Sequence, residues 1–93
     1  MTTIALPARI TMSDARATLA QLQPLLLAAD APVIDASALA DLDTAAIAVL
    51  LDCRRQAQAA GKTLQVVGAP AKLAQLATLY GVADLLALQP GAA

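Results

Sequence analysis

Apolar residues recur along this chain with two alternating periods. In "TIALPARIT" Ile4, Leu6 and Ile10 alternate with smaller or polar positions and Pro7 interrupts them, which predicts an edge strand or a short hairpin-like pair at a sheet margin. In "ATLAQLQPLLLAA" Leu19, Leu22, Leu25, Leu26 and Ala29 fall at helical spacing, with Ser13 and Asp14 as caps. Pro24 inside that segment predicts a kink or a restart, because proline removes a backbone donor and crowds the preceding turn. "APVIDAS" is short and β-branched and reads as a buried strand ending near Asp35, followed by the loop "ASALADLDT". From Thr44 the period turns helical again, with Ala46, Val49, Leu50, Cys53 and Ala57 on one face and Gly61 as a stop. "KTLQVVG" is the next strand. "APAKLAQLATLYG" predicts a helix from Pro70 to Gly81 with Leu73, Leu76, Leu79 and Tyr80 along one side. "VADLLAL" fits a short strand or a last turn, and the tail 89–93, "QPGAA", is expected to fray.

Strands that alternate with helices of this length predict an α/β fold, with a mixed sheet of about four strands, parallel central strands and about three main crossover helices. The chain, 1–93, is expected to form a single domain. In such sheets the loops at the carboxyl ends of the strands gather at one rim, where functional groups sit. The loop after Asp35 belongs to that rim.

Composition sharpens this picture. The hydrophobic fraction of 59% looks membrane-like, but 25 of those residues are alanine, and charges break every apolar run. None approaches the roughly 20 residues of a spanning helix. The start carries no basic segment followed by an apolar core, so a cytoplasmic location is expected. The single Cys53 has no internal partner, and its place in the helical pattern makes it a small buried hydrophobe. With no histidine and no glutamate, the chain lacks the usual proton-transfer groups. Six scattered basic residues and one aromatic, Tyr80, offer no track for nucleic acid.

The acids near residue 43 then need a role. Asp43 and Thr44 suit the cap of the following helix, since an acceptor there binds orphan amides and an acid complements the helix dipole. Catalysis by Asp41 and Asp43 lacks a histidine, a nearby lysine and a glycine-rich loop, so no catalytic residue is assigned. Asp35, Asp41 and Asp43 match no calcium loop, so neither a metal nor a cofactor is expected. Asp35 is expected to bond backbone amides of its own loop. The helix from Thr44 is more informative, because Ala45 and Ala48, flanked by Ile47 and Leu51, leave its first two turns apolar nearly all round. Such a helix is either covered on every side or offered to a partner. Arg54 and Arg55 read as a solvated face.

The segment "VIDASALADLDTAAIAVLLDCRRQAQAAGKTLQVVGAPAKLAQLATLYGVADLL", residues 33–86, resembles a STAS domain: a strand ending in Asp, a polar step opening a helix, and a later strand with a Gly-X-Pro turn. Within that family, "LDTAAIAVLL" and "LATLYGVADLL" are most similar to the MlaB type, the small cytoplasmic subunit of bacterial phospholipid-transport ABC systems. The resemblance implies a non-enzymatic subunit that binds an ABC transporter ATPase subunit (MlaF-like) and stabilises or regulates it. The implied partner-binding residues are Asp43, Thr44, Ala45, Ala48, Leu51 and Asp52, with Thr44 at the centre and "GAPAK" at the border. A second branch, the anti-sigma factor antagonists, is switched by phosphorylation of a serine in Asp-Ser-Ser-Gly. That motif falls on Asp43, Thr44, Ala45 and Ala46, which places alanine at the phosphoserine and leaves Thr44 as the possible phosphorylation site. The alternatives are therefore a STAS regulator of an anti-sigma factor or kinase and, from another class, a small lipid- or nucleotide-binding module.

Overall fold

The computed structural model describes residues 2–86 and 88–90. Strands β1 (Thr2–Ala5), β3 (Pro32–Asp35), β5 (Gln65–Ala69) and β6 (Leu88–Pro90) form one sheet in the spatial order β1-β3-β5-β6. Every pairing in it is parallel, the edges included. Because the strands are laid down in one direction, right-handed crossovers carry every connecting helix to the same face. Burial follows that rule in the main: Ile4, Ile34 and Val66, which stand side by side in the register, are buried, whereas on the opposite face Thr3, Ala5 and Gln65 are exposed and Val33, in register between Thr3 and Gln65, is covered. The fold is thus a helical layer on one side of a parallel sheet.

The N-terminal segment departs from the expected hairpin-like pair. β1 is an edge strand as its pattern indicates, but β2 (Arg9–Ile10) pairs in parallel with β4 (Asp41–Leu42) in a separate two-stranded sheet. Pro7 ends β1, and the Leu6 N–H donates to the Asp35 carbonyl at 2.9 Å, which carries the chain over the end of β3. β4 lies inside the stretch that reads as a loop, where two residues are too few for any period to appear. Ile10 and Leu42 are nonetheless buried, so this small clasp closes the core at the rim.

Helix α1 (Ala15–Ala28) is continuous through Pro24, without a restart. Pro24 and Ala20, whose carbonyl it leaves unbonded, both lie on the exposed side, where water can serve that carbonyl. The buried stripe is Thr18, Leu22, Leu26 and Ala29; Leu25, expected in it, is half exposed because it sits at the stripe's edge. At the far end Lys62 donates to the carbonyls of Leu26 and Leu27, supplying partners to the last turn of α1.

α2 (Thr44–Ala59) buries Ala46, Val49, Leu50, Cys53 and Ala57 completely, the face its spacing predicts. α1 packs on one flank and α3 (Ala71–Leu79) on the other. α3 buries Leu73 and Ala77, with Leu76 partly covered, whereas Leu79 and Tyr80 are exposed, against the expected stripe. The helix ends at Leu79; Tyr80 occupies its C-cap and Gly81, at φ 71°, turns the chain away. The tail forms both elements that its pattern left open, a short α4 (Ala83–Leu86) and β6. Gln89 and Pro90, expected to fray, belong to β6, and 91–93 lie outside the described residues.

Cys53 is free and fully buried. Burial, with the neighbouring Asp52 charge, pushes its thiol from 9.0 up to about 12. The native state therefore holds this proton where the unfolded chain releases it, so Cys53 lowers stability as pH rises above about 9. Native protein at pH 8 is expected to leave a thiol reagent unreacted until denaturant is added; rapid labelling without denaturant would contradict this burial. Leu50→Ala should cost about 3 kcal/mol in urea unfolding, because the tight centre of the helical layer cannot collapse around the void. A loss below about 1 kcal/mol would show that Leu50 is not central to the core.

Candidate interaction surface

The rim at the carboxyl ends of β3 and β5 is built from short polar contacts. Asp35 Oδ1 accepts from the Ser37 N–H at 2.9 Å, and the Ser37 hydroxyl and N–H hold the Asp35 carboxyl below its ordinary 3.8. Gly68 completes this corner: its φ is +69°, and a Cβ there would stand 2.9 Å from Asp35 Oδ1 and 3.1 Å from Ser37 Cβ. Only glycine fits both demands, which is the physical reason for the Gly-Ala-Pro turn that leads into α3.

Asp43 is the N-cap of α2. Its Oδ1 accepts from the Ala45 N–H at 2.8 Å, and its Oδ2 accepts from the Met12 N–H at 3.2 Å. One carboxylate thus caps the helix and pins the loop before α1 to it. Asp14 stands at the N-cap position of α1 but makes no side-chain cap, contrary to the expected role. It turns back to Thr11 instead, accepting from its hydroxyl at 2.8 Å and its N–H at 3.1 Å, and from Arg9 at 3.2 Å. The two Thr11 bonds, aided by Arg9, hold the Asp14 carboxyl below 3.8. Asp41, in β4, lies 3.8 Å from Arg9 and is exposed. Asp35 and Asp43 are thus occupied separately while Asp14 and Asp41 share Arg9, and among the described residues no three metal-ligating side chains gather.

The residues singled out along α2 come together on one side of it. Thr44 and Ala48 are exposed, while Ala45, Leu51 and Asp52 are half buried. Asp52 pairs with Arg55 and accepts from Gln56 at 3.0 Å, so Arg55 is tied locally; Arg54 donates to Gln58. Ile47 is not part of the outward face: it is 5% exposed, covered from the α3–α4 side. There Thr44, Ile47, Ala48, Leu51, Tyr80 and Val82 line an apolar groove. Tyr80 and Val82 are absent from the residues singled out in the sequence. The signals for Tyr80 were its being the sole aromatic, set just before a glycine turn, and its place in "LATLYGVADLL".

With this geometry, a family model described as MlaB, STAS domain matches residues 1–88. The chain belongs to the MlaB-type STAS domain family. A search of curated proteins finds no match. Among solved structures, the STAS domain is similar to an anti-sigma-factor antagonist (STAS) domain protein from Planctomyces limnophilus, with a TM-score of 0.81, 10% identity, and coverage of 100% of this chain and 84% of that one. It is also similar to a protein from Thermotoga maritima provisionally assigned as an anti-sigma factor antagonist, with a TM-score of 0.78, 11% identity, and coverage of 94% and 78% respectively. At such identities these likenesses establish the shared fold, which agrees with the expected class.

Asp43→Ala should destabilise the STAS domain by about 1 kcal/mol or slightly more, since both the cap and the Met12 tie are lost. Asp43→Asn keeps an acceptor and should restore most of that loss. Equal stability of the alanine variant and wild type in chemical denaturation would rule out the cap as a significant contributor.

Proposed function

We propose that this STAS domain is a non-enzymatic protein-interaction subunit of the cytoplasm that docks through the outer face of α2 onto the ATPase of a phospholipid-transporting ABC system and stabilises or regulates it. The observation that carries the reading is exposed Thr44 at the head of α2, flush with an apolar groove that no described element of the chain fills. Alanines at 45 and 48 leave room for a partner's backbone to approach closely, and Leu51, Tyr80 and Val82 supply the apolar contact. The MlaB description of the matching family model supports the choice of an ABC ATPase. Among the described residues no helix is long and apolar enough to cross a membrane, so membrane attachment in this reading runs through the partner.

A second reading, a regulator of an anti-sigma factor, is favoured by the names of the two structural neighbours. It is weakened by Ala45, which stands where that branch carries its phosphoserine. Thr44 is then the hydroxyl through which a kinase would act, and phosphate there would crowd Asp43 and any docked surface.

Thr44→Glu places an unpaired charge in the proposed interface while suiting the positive end of the helix dipole. Affinity for the purified ATPase should fall roughly a hundredfold, about 2.7 kcal/mol, with the melting temperature unchanged. Unaltered affinity in a calorimetric titration would remove Thr44 from the interface. Recovery of an anti-sigma kinase and no ATPase on co-purification would instead establish the second reading.

A further inference from the structure

Met12 is, at 78%, the most exposed large apolar side chain among the described residues. It stands on an ordered mount. Before it, Ile10 is fully buried and paired with Leu42, and Thr11 is held by Asp14 through both its N–H and its hydroxyl. Its own N–H donates to Asp43 Oδ2 at 3.2 Å, while the other oxygen of that carboxylate caps α2. A thioether is thus presented at the head of α2, beside the residue that precedes Thr44. The groove lined by Thr44, Ala48, Leu51 and Tyr80 begins at the same helix turn.

The charge around Met12 is one-sided. Asp14 and Asp41 share one guanidinium, Arg9, and Asp43 accepts from the Met12 N–H, so the segment that holds Met12 meets three carboxylates and one guanidinium. An apolar side chain set beside surplus carboxylate complements an apolar side chain flanked by a cation. Methionine suits such a contact, because its flexible, polarisable side chain moulds to the group it meets.

We infer that Met12 is a further wall of the docking surface, receiving from the partner protein an apolar side chain with a lysine or arginine beside it. This rests on the α2 docking reading above. The contact is also sensitive to peroxide. The sulfur lone pair attacks one oxygen of hydrogen peroxide, the O–O bond breaks and water leaves, so the sulfur is oxidised by two electrons to the sulfoxide and the peroxide is reduced. The sulfoxide is polar and disfavours the apolar contact. Cys53, fully buried, is shielded from the same reagent.

The full chain is titrated into the purified ABC ATPase by calorimetry as wild type, Met12→Gln, Met12→Leu and Thr44→Glu, and as wild type and Met12→Leu after hydrogen peroxide treatment checked by mass. Met12→Gln and peroxide-treated wild type should each bind about tenfold more weakly. Met12→Leu should stay near wild type and be indifferent to peroxide, and rising salt should weaken the wild-type complex. Full affinity of Met12→Gln beside a weakened Thr44→Glu would place Met12 outside the surface while leaving the α2 reading intact. Affinity indifferent to salt would overturn the cationic partner group. Absence of any wild-type binding, or unaltered binding by Thr44→Glu, would sink the α2 reading and this inference with it.

Discussion

The unidirectional order of the parallel strands governs everything else in the molecule. Laid down as β1-β3-β5-β6 with right-handed crossovers, the sheet collects its helices on one face, with α2 between α1 and α3. A helix in that central place buries its inner face against the sheet and its two flanks against neighbours, so Ala46, Val49, Leu50, Cys53 and Ala57 are fully enclosed. What remains outward is one narrow strip, and Thr44, Ala48, Leu51 and Asp52 lie along it. The proposed interaction face is thus the residue of a packing rule: it is the part of α2 that a single helical layer has no means of covering.

The same topology gathers the carboxyl ends of the strands at the rim where α2 begins. There the acids act as fasteners. Asp35 fixes its own loop through Ser37 and is sealed by Gly68, Asp14 holds Thr11, and Asp43 joins the head of α2 to Met12. Each bond has an exposed or half-exposed partner; those of Asp35 and Asp14 fix their own loops, and that of Asp43 adds to the two-residue pairing of β2 with β4 and the backbone bonds beside it. The rim is consequently ordered by hydrogen bonds while the layer beneath is ordered by packing. That division lets a surface residue such as Thr44 vary its charge without reaching the core.

Much of this was legible from the chain. The inner face of α2 follows from apolar positions at helical spacing, and the cap at Asp43 follows from an acid just before that pattern. Burial of Cys53 follows from its phase with Val49 and Leu50. The errors share one cause, which is that periodicity reports a tendency and not a neighbour. Leu25 and Leu79 belong to leucine-rich helices yet lie off the buried stripe, and Tyr80 is in phase with Leu73 but falls beyond the last helical turn. β2 and β4 are too short to carry a period, so their pairing across some thirty residues of sequence was invisible.

The amino-acid sequence by itself determined the alternation of strands and helices, the enclosed side of α2 and the cap of that helix, because each depends on local spacing or on one residue's stereochemistry. The STAS resemblance was likewise carried by local motifs. Tertiary structure alone decided which face of the sheet was covered, that Tyr80 and Val82 line the groove with Thr44, and that Met12 is held at the head of α2. Those outcomes depend on contacts between residues far apart in the chain, set by crossover handedness and by one carboxylate with two oxygens serving two segments.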